Sequence, residues 1–160
     1  MLIKKMMIAC VIALPFATAQ GQNGQHFVML PESESKAVAD FYPRTGPEKV
    51  SGSWQATKAD IDGLETNLFH LSELKAKNWK MDLRIDHPEK YYRQYVAILQ
   101  GGQRRIFVNA FCDDGAPNPQ TSSVWKQHLE IIMDGGTCVW HALYDPASGK
   151  FIDLEINGRA

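Results

Sequence analysis

Nowhere in the 160 residues is there an apolar run approaching the ~18 residues of a membrane-spanning helix. No integral membrane segment is therefore expected in the mature protein. Charge of one sign is missing too: 17 Lys and Arg stand against 18 Asp and Glu, a net charge of -1. That leaves no basic excess to release counterions from phosphates, so nucleic acid is not an expected partner. The chain has no GxSxG elbow, no HExxH zinc helix and no CxxC pair, and 146–150 lacks the first glycine of a phosphate loop. No cofactor is implied.

What is present begins with an address. Lys4 and Lys5 precede an apolar run over 6–16, and Ala17-Thr18-Ala19 offers small residues for a signal peptidase, with cleavage before Gln20. Removing the first 19 of 160 residues leaves 141 and, with Lys4 and Lys5 gone, shifts the net charge from -1 to -3. A lipoprotein reading through Cys10 leaves too short a hydrophobic region. The expected product is periplasmic or secreted.

Cysteine is scarce, with 3 in the chain, and only Cys112 and Cys138 survive cleavage. An oxidising compartment favours one disulfide between them over two buried thiols. A plain meander opposes that pairing, because it puts Cys112 and Cys138 at opposite ends of the sheet, beyond the ~7 Å that Cα atoms can span in a bridge. A crossing of the chain over 113–123 would remove the conflict.

Gly, Gln, Pro, Ser and Glu dominate 20–53, which reads as a loosely packed arm. Ala37, Val38 and Phe41 allow a short helical turn over 35–42, capped by Ser33 or Ser35. The ordered domain is expected over 54–160. Thr57 and Asp60 form a capping pattern, and Ile61, Leu64, Leu68, Leu71 and Leu74 recur at steps of three and four, the stripe of one long helix. Gly63 in its second turn suggests close approach to a neighbour.

Strand patterns follow Pro88. Segments 91–99 and 104–112 flank Gly101-Gly102, a two-residue turn that sets Tyr95 opposite Val108 and Ala97 opposite Ile106. Segments 124–134 and 137–144 suggest a second hairpin closed by Gly135-Gly136, with Trp125, Leu129, Ile131 and Met133 on the core face, and 151–156 a last strand. Of the four tryptophans, three are expected in the core. The fold class is α+β: one long helix packed on a curved antiparallel sheet of about five strands.

This element order over 54–157 resembles the cystatin-like roll. Gln94-Tyr95-Val96-Ala97-Ile98 is similar to the QxVxG hairpin with which cystatins block cysteine proteases, but Ile98 replaces the glycine and the turn comes only at Gly101-Gly102. The resemblance implies a roll and, as an alternative function, protease inhibition. In size and layout the chain also resembles small exported bacterial proteins without an assigned role, which implies no activity.

Three groups of side chains are candidates for function. Tyr91, Tyr92 and Arg93 with Arg104 and Arg105 would make an aromatic, polar binding patch on the first hairpin. Tyr91, Tyr92, Tyr95, Asp82 and Asp86 could line an acid/base pocket of a small hydrolase or isomerase. The second hairpin's register gathers His128, Glu130, His141, Asp153 and Glu155 on one solvated face, as a ladder of ion pairs or, less readily, a divalent cation site. The sequence favours a non-enzymatic domain that binds a protein or cell-envelope partner.

Overall fold

Thr57 and Asp60 start α2 (Lys58–Asn67) as the pattern requires: the Thr57 hydroxyl accepts from the Asp60 amide, and the Asp60 carboxylate accepts from the Thr57 amide at 2.7 Å. The computed structural model describes residues 26–42, 48–113 and 122–158. The leader, Cys10 and parts of the arm and of the 113–123 crossing lie outside the described residues.

The long helix is corrected to α2 followed by a 3-10 stretch, Leu68–Glu73. Polar side chains explain the change, because they compete for helical carbonyls. Thr66 Oγ1 donates to Asp62 O at 2.7 Å, Asn67 Nδ2 to Gly63 O at 2.8 Å, and Ser72 Oγ to Phe69 O at 2.7 Å. The apolar stripe survives, since both helix types keep i and i+3 on one side: Leu64, Leu68 and Leu71 are buried. A Cβ on Gly63 would stand 3.3 Å from the Tyr144 hydroxyl, the close approach its position suggested.

Strands β3 (Tyr92–Gln100) and β4 (Gln103–Phe111) meet through Gly101 and Gly102, both at positive φ, with Tyr95 opposite Val108 and Ala97 opposite Ile106 as read from sequence. β5 (Val139–Asp145) pairs antiparallel with β4, and β6 (Lys150–Ile156) with β5. Two further short strands, β1 (Phe27–Met29) and β2 (Val50–Ser53), attach to β3, β1 in parallel, so the sheet is mixed and six-stranded.

The second hairpin is overturned. Residues 124–134 hold a 3-10 turn, Val124–Lys126, and then run outside the sheet across its second face. Amide side chains take the place of a partner strand: Gln94 Nε2 donates to Trp125 O and His128 O, Gln94 Oε1 accepts from the Glu130 amide, and Asn109 Nδ2 donates to Glu130 O. Trp125 is buried against Tyr92 and Phe111, and Leu129 is buried, whereas Ile131 and Met133 are exposed. Trp54, Trp125 and Trp140 are buried and Trp79 partly so, three of the four as expected.

Because β4 and β5 are direct neighbours, Cys112 at the end of one meets Cys138 at the start of the other. Their Cα atoms are 5.1 Å apart and the sulfurs are bonded. The expected conflict came from the strand that does not form.

The sheet is covered on both faces. Tyr95, Ala97, Ile106, Val108, Trp140 and Ala142 pack under Leu64 of α2 and Leu68 and Leu71 of the 3-10 stretch. On the other face Val96, Ile98, Phe107 and Leu143 meet Leu30, Val38 and Tyr42, so the described part of the arm is packed, not loose. Its helix α1 (Ser35–Phe41) has Glu34 as N-cap without a side-chain cap, since the Glu34 carboxylate accepts instead from the Leu129 amide at 2.9 Å. A bulge at Asp153, with φ 54°, turns Ile152 to this face and leaves Phe151, Leu154 and Ile156 on the α2 side, correcting a common inward face for 152, 154 and 156. No described helix is long and apolar enough to cross a membrane.

Candidate functional site

The hairpin patch separates into two ends. Tyr92 pairs with Phe111 at the open end and Arg104 with Leu99 beside the turn, a separation of roughly 20 Å at the ~3.3 Å rise of a strand. At the turn, the Arg104 guanidinium lies 5.1 Å from the Trp54 ring centroid and Arg105 pairs with Asp145 at 3.1 Å. At the open end Arg93 is buried, and Tyr92 stacks between His26 and Phe111.

The histidine and carboxylate group is likewise divided, and its face is not solvated. His141 pairs with Glu155 in the expected register, Nε2 to Oε2 3.2 Å, and its ring sits edge-on to Tyr42 under α1. Lys77 lies 3.2 Å from both Glu155 and Asp153. His128 instead faces Glu34 at 3.4 Å, and the Glu130 carbonyl accepts from Tyr42. Among the described residues no three His, Cys, Asp or Glu side chains could hold a metal ion. Burial pushes Tyr42 up to about 12, with the Glu130 charge adding against an opposing backbone hydrogen bond, and burial also raises Glu130.

Burial would raise Glu155 as well, but the His141 hydrogen bond and charge and the nearby Lys77 outweigh it and hold this carboxyl below its ordinary value. Such a group adds stability above its unfolded pKa and loses it as pH falls through the folded one. Glu155→Gln is expected to cost about 1–2 kcal/mol near neutral pH, a deficit that shrinks between about pH 5 and pH 3. Denaturant midpoints across that range check it; a deficit independent of pH would contradict the pairing.

At the disulfide end of the sheet a different constellation forms. Asp86, His87, Lys90, Tyr91, Cys112 and Asp113 line an open cleft of about 330 Å³. The loop before β3 supplies four of these residues and the end of β4 the other two. Pro88 opens a 3-10 turn, Pro88–Lys90, and disfavours the right-handed helical region at His87, which sits at φ 55°, ψ 56°. The Tyr91 hydroxyl donates to Thr137 O at 3.0 Å, and the Cys112 amide to Cys138 O at 2.9 Å. The turn at 137–138 thus ties down both walls.

The loop is fixed from below by a buried charge. Arg93 Nη1 donates to the carbonyls of Pro88, Glu89 and Tyr91 at 3.2, 2.9 and 2.7 Å, its Nη2 meets Glu65 at 3.2 Å, and its Nε donates to the Tyr95 hydroxyl at 2.9 Å. The Tyr95 hydroxyl in turn donates to Glu65. Burial raises Tyr95 well above its ordinary value, so it stays a neutral donor. Arg93, read from sequence as a surface contact, is a positioning residue.

Of the acid/base set, Tyr91 and Asp86 reach the cleft. Tyr95 is interior, and Asp82 is held below its ordinary value by hydrogen bonds from Lys75 and Arg84. Burial and then the Asp86 charge raise Tyr91; burial and then Asp113 raise Tyr92. Sequence reasoning missed His87, Lys90 and Asp113; the only local signal was the residue pair before a strand, His87-Pro88, whose proline forces a turn. No known protein family, no curated protein and no solved structure matches the chain.

Proposed function

We propose that the protein is an exported, non-enzymatic binding domain that takes a protein or cell-envelope partner at the cleft beside Cys112. The observation that carries this reading is the filled interior. Side chains occupy the space between α2 and the sheet and between α1 and the sheet, and recognition then falls to an open, pre-organised surface with an apolar floor and a polar rim. The leader pattern at 1–19 and the bonded cysteine pair support export.

A second reading, a small hydrolase or isomerase, is favoured by one observation: Asp86, His87 and Tyr91 converge on a single cleft of about 330 Å³. Inhibition of the cystatin type has less support, because Gln94 to Ile98 lies buried in the middle of β3. No inhibition of papain-like proteases at micromolar concentration is expected, and inhibition abolished by Val96→Ala would restore that reading.

Capture of envelope and secreted proteins on the immobilised protein tests the main proposal. A partner retained by the wild type and by Arg104→Gln but lost with Tyr91→Ala, with Tyr91→Ala checked for native thermal unfolding, is the expected outcome. Retention by Tyr91→Ala equal to wild type would overturn it.

A further inference from the structure

We propose that the cleft receives a cationic side chain, arginine or lysine, from a protein partner, its aliphatic stem on the Tyr91 ring and the Cys112 sulfur and its charged head towards Asp86. This rests on the cleft being the recognition site. The volume of about 330 Å³ sits at the lower end of pockets that enclose small groups. The floor is suited to a stem: the Tyr91 hydroxyl is turned to Thr137 O and its ring is braced edge-on against Trp140, centroids 5.5 Å apart, so the ring is held rigid at the cleft wall.

The rim decides the sign of the charge. His87 Nδ1 meets the carboxylate of Glu89, which does not line the cleft, at 3.1 Å, so of the charged side chains in the lining Lys90 stands against the two carboxylates of Asp86 and Asp113. Asp86 and Asp113 contribute two carboxylates whose fields reach the tyrosines at the start of β3. A guanidinium or ammonium placed over Tyr91 gains both the attraction of these carboxylates and that of the ring face. An acidic or neutral side chain of the same length gains neither.

The test is an NMR titration of the full mature chain with N-acetyl-arginine amide, N-acetyl-lysine amide, the neutral isostere N-acetyl-citrulline amide, and N-acetyl-glutamate amide. Saturable shifts at the amides of Asp86, His87 and Tyr91 are expected with the two cationic probes, with citrulline weaker by about fivefold or more. Asp86→Asn should weaken the arginine probe roughly fivefold to tenfold, Arg104→Gln should leave it unchanged, and added salt should weaken it. Citrulline or glutamate binding as well as arginine at these residues would overturn the cationic occupant while leaving the cleft a recognition site. No saturable shift with any probe would overturn the proposal too, and partner capture indifferent to Tyr91→Ala would overturn the reading beneath it.

Discussion

Arg93→Met should destabilise the protein by about 3–5 kcal/mol, the range for removing one partner of a buried ion pair. The Arg93 side chain is 4% exposed and that of Glu65 is 26% exposed. Methionine matches much of the apolar stem but none of the five donors. Glu65 would keep a partly buried charge without its cation, and the carbonyls of Pro88, Glu89 and Tyr91 would lose a shared donor. Against a hydrophobic pair of equal size, the native pair gives little stability; what it supplies is geometry, since its contacts end on the loop that walls the cleft. Denaturant unfolding measures the loss, and hydrogen exchange locates it: the amides of 87 and 89–91 should exchange faster in Arg93→Lys, which keeps the charge and loses the planar fork. A loss under 1 kcal/mol for Arg93→Met, with 87–91 unaffected in Arg93→Lys, would show that the loop stands without this support.

Breaking the disulfide is the other large effect. Cys112 and Cys138 are separated by 26 positions, and closing a loop of that size in the unfolded chain corresponds to about 3.5 kcal/mol. The double variant Cys112→Ala with Cys138→Ala should lose about that much. The intact mass of the native protein should lie two hydrogens below that of the reduced form. The cleft should feel the loss too, because Cys112 and Tyr91 are both anchored on 137–138. Two thiols alkylated in the native, unreduced protein would contradict the pairing.

Local chemistry made the cap at Thr57, the glycine turn at 101–102 and the register of Tyr95 with Val108 legible in the sequence, because each is decided by residues close together in the chain or by strict alternation. The strand expected over 124–134 failed for a non-local reason. Its alternation is real, but its backbone groups are claimed by the side chains of Gln94 and Asn109, whose burial no periodicity reports. That one substitution of side chains for a strand also moved Ile131 and Met133 out of the core and brought Cys112 to Cys138. In the arm between 26 and 42 the short helical turn around Val38 was legible, but its burial with Leu30 and Tyr42 on the second face of the sheet was not, because so few apolar positions define no face. The cleft was legible only in fragments, since Cys112 is distant in sequence from Asp86 and Tyr91 and Arg93 reads as exposed until Glu65 is seen beneath it.

Site-specific photo-crosslinking distinguishes recognition at the disulfide end from recognition at the opposite turn. A photoreactive residue is placed either at Lys90 on the cleft rim or at Arg104 beside the opposite turn, both exposed, and the protein is irradiated in the cells that make it. A discrete adduct is expected from position 90, fading in the Tyr91→Ala background, and none from position 104. An adduct from 104 with none from 90 would place recognition at the other end of the sheet and contradict recognition at the cleft.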